Sequence, residues 1–127
     1  MNLALWIAAG LLAFVAFAGG VLKTFVPVEK LAKQPGGKWV GKSGVWFVKT
    51  MGGLEILAAA GLILPAVLNI APILVPVTAV CWMLLMLCAM ITHFRFREFP
   101  QVMVNVLYFA LAAFIAWGRF GPESFTG

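Results

Sequence analysis

Glu55 lies within TMGGLEILAAAGLILP, residues 50–65, a stretch that is otherwise almost wholly apolar. A charge at a bilayer centre costs about 2.5 to 3.5 kcal/mol and less near the interface, so such a carboxylate should face a bundle interior or a cavity. Candidate partners are Lys23, the first charge after the N-terminal apolar run, and Asn105 and Tyr108, three apart in the last apolar run. His93 is the only histidine, and imidazole is the side chain whose ordinary protonation change falls near neutrality. Glu55 and His93 together would make an acid/base pair for proton transfer on a quinone or lipid entering between helices. Arg95 and Glu98 follow His93 in HFRFREF. The same polar cluster of Lys23, Glu55, His93, Arg95, Glu98, Asn105 and Tyr108 also admits two plainer roles. It could fix helix register as an ion-paired network, or it could form the wall of a ligand site.

Other chemistry is poorly supported. Cys81 and Cys88 stand seven apart, about 10 Å along a helix, beyond the ~7 Å between α-carbons that a disulfide spans. They read as buried apolar thiols. Met83, Met86 and Met90 read as packing, because the ligands a metal would need from a second helix are missing. One histidine is too few for a zinc site, and no phosphate loop, nucleophile elbow, haem motif or dinucleotide fingerprint occurs. No metal is expected, and no cofactor is evident beyond a quinone or lipid.

The elements that must position these residues follow from composition. With 64% hydrophobic and 10% charged residues in 127 and a mean hydropathy of +1.07, the chain is an integral membrane protein of one domain. Four apolar runs approach or exceed the roughly 20 residues that cross a bilayer: about 2–22, 45–68, 70–92 and 100–117. They lack period-2 alternation and so predict helices. The fold class is an all-α membrane protein, a four-transmembrane-helix bundle with a Lys-rich loop between its first two spans. The first run opens without Lys or Arg and exceeds a leader's apolar core, so it reads as a retained helix. Pro65 and Pro72 bracket a short connection that makes spans two and three antiparallel neighbours. Pro76 predicts a kink early in span three, and Pro100 suits a helix start.

Charge sets the orientation. Lys23, Lys30, Lys33, Lys38, Lys42, Lys49, Arg95 and Arg97 fall on one side, against Arg119 on the other. The positive-inside rule makes loops 23–49 and 93–99 cytoplasmic and both termini external, in a cell membrane. The +5 charge is therefore a topology signal with affinity for lipid headgroups, and it gives no ground for nucleic-acid binding. A short interfacial helix is predicted at 28–33, with Trp39 and Trp46 anchoring at headgroup level. The small faces Ala9, Ala13, Ala16, Gly20 and Gly52, Ala58, Ala59 let spans one and two approach closely, bringing Lys23 to Glu55. Small faces also admit a homo-oligomer or a membrane redox partner.

In this order and spacing, Gly52, Glu55, Gly61 and Pro65, then HFRFRE, then WGRF, resemble the DoxX-like family of small four-helix membrane proteins. The Gly-Gly-Val-Leu-Lys end of the first span extends the resemblance to nearly the whole chain. Relatives often carry an acidic residue in the loop before the second span, where this chain reads WVGKSGVW. The resemblance implies a four-helix fold and an accessory or ligand-binding subunit of a membrane redox or stress-response assembly. Such proteins are associated with thiosulfate:quinone oxidoreduction and oxidative-stress complexes, and they look similar to bundles that bind sterols or other lipids.

Overall fold

Each long apolar run closes its backbone hydrogen bonds within itself, as a chain in hydrocarbon must. The computed structural model describes residues 2–33, 37, 39–40 and 44–124. Helix α1 covers Asn2–Phe25, the short α2 Val28–Ala32, α3 Val45–Val67, α4 Leu74–Arg95 and α5 Phe99–Phe120. The four long helices have 24, 23, 22 and 22 residues, about 33 to 36 Å at ~1.5 Å per residue, enough for a ~30 Å hydrocarbon core. The described residues thus form the four-span helical bundle that the sequence predicts, with α2 in the stretch where a short helix is expected. Lys38 and Lys42 of the Lys-rich loop lie outside the described residues.

Helix ends use side-chain and backbone chemistry that can be followed atom by atom. At the end of α3, the Ile70 N–H donates to the Pro65 carbonyl (3.0 Å) and the Asn69 N–H to that of Ala66 (3.4 Å), with Asn69 left-handed at φ 54°. This paired closure satisfies carbonyls that the helix itself cannot. The end of α4 repeats it: the Glu98 N–H donates to His93 (2.8 Å) and the Arg97 N–H to Phe94 (3.1 Å), around Arg97 at φ 58°. Pro65 lies inside the last turn of α3, so the short connection is Leu68 to Ile73. Pro76 is the third residue of α4, where a backbone N–H has no intrahelical acceptor to lose. The kink predicted there has no hydrogen bond to break.

Helices α1 and α3 form one closely packed pair and α4 and α5 the other, with lighter α3–α4 and α1–α5 contacts closing the ring. The α1–α3 approach depends on glycine: a β-carbon on Gly20 would lie 2.7 Å from the Gly52 carbonyl oxygen, and one on Gly52 would lie 2.9 Å from that of Gly20. Only bare backbones can come so close. The main core runs through the bundle axis, with Ala8, Leu12 and Ala16 of α1 against Leu62, Ala79, Trp82, Met86, Ala112 and Ile115. Phe14, Leu57, Ile91 and Leu107 point outward, as lipid-facing side chains of a span do. Cys81 and Cys88 are both exposed, contrary to the buried thiols expected from sequence. Cys81 turns away from the core that Ala79, Trp82 and Met86 enter, whereas Cys88 borders a cavity nearer the end of α4. A satellite cluster of Leu31, Val40 and Val48, with Val28 and Trp39 packed on it, joins α2 and the Lys-rich loop to the start of α3.

Candidate functional site

Where α1 ends beside the middle of α3, the Lys23 ammonium donates to both carboxylate oxygens of Glu55, at 2.9 and 3.0 Å. The Glu55 side chain is only 8% exposed and that of Lys23 24%, so the carboxylate is enclosed and the ammonium keeps a route to the polar side. Gly19 makes the room, since a β-carbon there would lie 3.1 Å from Glu55 Oε2. Lys49, one and a half turns earlier on α3, donates to the Thr24 and Val26 carbonyls at 2.6 and 3.2 Å. It closes the C-terminal end of α1, a role beyond the topology signal that its charge suggests.

Across the bundle His93 ends α4. The closure around Arg97 folds the chain back, so that Glu98 Oε1 lies 3.0 Å from His93 Nδ1, with Glu98 buried. The carboxylate partner of His93 is therefore Glu98, and that of Glu55 is Lys23. The Glu55–His93 contact suggested by sequence is replaced by two separate pairs, because a five-residue backbone turn reaches the imidazole sooner than a residue on another helix can.

Both pairs border one cavity of about 330 Å³. Its polar lining comes from Lys23, Glu55, Thr92, His93, Gln101 and Asn105, and its apolar lining from Leu22, Phe47, Met51, Leu85, Met86 and Ala89. Leu31, Trp39 and Val40 of the satellite cluster also line it. Trp39 is thus half-buried at the cavity, whereas Trp46 is 85% exposed and has the openness a headgroup anchor needs. Asn105 is buried, and its Nδ2 has no hydrogen-bond partner. Thr24 Oγ1 and Trp82 Nε1 are likewise buried without partners, but away from the cavity lining. An unmade hydrogen bond of this kind costs about 1–3 kcal/mol.

Of the sequence-predicted site residues, the structure brings Lys23, Glu55, His93 and Asn105 to the cavity, with Glu98 behind His93. Arg95 is exposed and takes no part in the lining. Tyr108 packs against the main core instead. Among the described residues there is no group of three or more side chains able to hold a metal.

The span that builds this geometry is also the span that identifies the chain: residues 7–115 match the DoxX-like family. The chain belongs to that family. No curated protein and no solved structure matches it. Every cavity-lining residue of this DoxX-like protein falls inside the matched span. A second polar tie falls outside it, at the opposite end of the bundle. The buried Arg119 donates to Asn2 Oδ1 (2.8 Å) and to the Glu123 carbonyl (2.9 Å), with its guanidinium 5.8 Å from the Trp6 ring centroid. In the sequence Arg119 is the one basic residue on its side, and four antiparallel spans return both termini to that end, where Arg119 meets Asn2.

Proposed function

We propose that this DoxX-like protein holds a hydrophobic small molecule, a quinone or a lipid, in the cavity between its helices and its Lys-rich loop. It would serve as the ligand-binding accessory subunit of a membrane redox or stress-response assembly. The observation that carries the reading is the cavity itself, walled mostly by apolar side chains and bordered by charged groups that are already paired. The cavity volume lies at the small end of the ~300–1,000 Å³ range of ligand sites, and an apolar majority of its lining with a few placed polar groups is the usual composition of such sites.

The Lys and Arg asymmetry supports insertion in a cell membrane with both termini external and loops 23–49 and 93–99 cytoplasmic. Native mass spectrometry from mild detergent tests the binding role, with a discrete retained mass as the expected result and a bare polypeptide mass as the result against it. A retained second polypeptide would support the subunit role, and repeated recovery of a lone chain with its small molecule would oppose it. For the orientation, an impermeant thiol reagent should not label Lys33→Cys from outside intact cells.

A further inference from the structure

Resting on the ligand-binding reading, we propose that the cavity fills sideways from the bilayer, through an opening between α3 and α4, so that its ligand is a molecule dissolved in hydrocarbon rather than one arriving from water. The ring of four long helices has two close seams, α1–α3 and α4–α5, and two lighter ones, α3–α4 and α1–α5. A way in lies along one of the lighter pair. The α3–α4 seam is shut at one level, where a β-carbon on Gly61 would lie 2.5 Å from Thr78 Oγ1. In an antiparallel pair that register sets Met51 opposite Cys88, each ten residues further from the connecting turn, about 15 Å along at ~1.5 Å per residue. One turn beyond, it sets Phe47 opposite Thr92. All four border the cavity, so the seam closed by Gly61 and Thr78 parts around it toward the Lys-rich end.

Exposure tells which side of the cavity is open. Over the Lys-rich end, the described part of the loop is a closed cover, with Leu31, Gly37 and Val40 all buried. On the helices, Phe47 is 53% exposed and Cys88 is exposed as well, and these two stand on opposite banks of the α3–α4 seam. The α1–α5 seam has an exposed lining residue on one bank only: Leu22 faces Gln101 and Asn105, which are half-buried and buried. Cys88 precedes the end of α4 by seven residues, about 10 Å, so the opening lies within the depth of the span and meets acyl chains. Phe47, Met51, Leu85 and Ala89 wall it. An apolar body passes from lipid chains to such a wall with little change of surroundings, whereas a polar one must first shed its water.

The probe is an aryl diazirine without polar groups, which concentrates in hydrocarbon and on irradiation inserts into whatever it touches. The full chain is washed in detergent until its native mass spectrum is that of the polypeptide alone. It is then reconstituted in phosphatidylcholine vesicles, irradiated with the probe and mapped by peptide mass spectrometry. Met86 and Trp82 are both buried on α4, but of the two only Met86 lines the cavity. Met86 should carry adduct and Trp82 none. Cys88→Trp sets a bulky ring at the opening and should cut the Met86 adduct about tenfold, as should Met51→Trp on the facing bank. Leu22→Trp adds similar bulk to the α1 wall of the cavity, and Cys81→Trp adds it to α4 away from the cavity. Both should leave the adduct unchanged, with helix content checked by circular dichroism in every variant. An undiminished adduct in folded Cys88→Trp or Met51→Trp, or a loss in Leu22→Trp, would overturn the α3–α4 route. Met86 free of adduct in the unsubstituted protein would overturn filling from the bilayer. In each case the binding role stands if a small-molecule mass was present before washing and falls if it was not.

Discussion

Removing Lys23 should damage the fold more than removing the charge of Glu55, because the two ends of the pair are enclosed to different degrees. In Lys23→Met, the Glu55 carboxylate loses two charge-assisted bonds of 2.9 and 3.0 Å while remaining 8% exposed. Breaking a fully buried pair this way costs about 3–5 kcal/mol. The adjoining cavity eases the isolation of the carboxylate, so about 3 kcal/mol is expected. In Glu55→Gln the amide oxygen still accepts one bond from Lys23, and an ammonium already 24% exposed can turn toward solvent. That change should cost about 1.5 kcal/mol, the low end of what one hydrogen bond to a charged group contributes. In the double variant neither charge of this pair remains, and its cost should fall about 1.5–2 kcal/mol short of the sum, as expected of directly contacting residues. Reversible unfolding in mixed micelles, titrated with SDS and followed by circular dichroism, gives all three values. A reversed order, or additivity within about 0.5 kcal/mol, would refute the reasoning.

Three further changes probe how the elements are held. Gly20→Ala places a β-carbon 2.7 Å from both the Gly52 carbonyl oxygen and Ile56 Cγ1, whereas Gly10→Ala meets nothing within 4 Å; the same unfolding titration should show a loss of about 1–3 kcal/mol or more for the first and little for the second. Arg97→Gly relieves a left-handed residue at φ 58° and should stabilise the protein by roughly 0.5–1 kcal/mol, less than the full conformational strain because glycine also loosens the unfolded chain. Lys49→Met removes two bonds to the Thr24 and Val26 carbonyls and should raise amide exchange at 26–31 about tenfold in hydrogen-exchange mass spectrometry, an opening of ~1.4 kcal/mol.

The spans were legible because hydrocarbon leaves an apolar chain few alternatives to a helix, and the length of each run then fixes its place. Lys23 with Glu55 was legible for a related reason: sequential antiparallel helices with small faces pack along each other, which brings the end of the first against the inner part of the second. The partner of His93 was hidden because the turn that folds Glu98 back carries Arg97 at its left-handed position, where glycine would have been the readable signal. Trp39 was misplaced because the loop's return over the cavity rests on Leu31, Val40 and Val48, scattered apolar residues with no period to detect. The Asn2–Arg119 tie follows from the topology, which returns both termini to one end, but a single arginine there is also what the positive-inside asymmetry alone would leave.

A cavity that binds a hydrophobic molecule can be filled from within. Ala89 lines it, while Ala110 on α5 is exposed on the outer surface of the bundle. Native mass spectrometry of Ala89→Trp and Ala110→Trp beside the unsubstituted protein tests the central claim most directly. The retained small-molecule mass should be present in the unsubstituted protein and in Ala110→Trp, and lost in Ala89→Trp. The same mass retained in Ala89→Trp, or none in the unsubstituted chain, would contradict it.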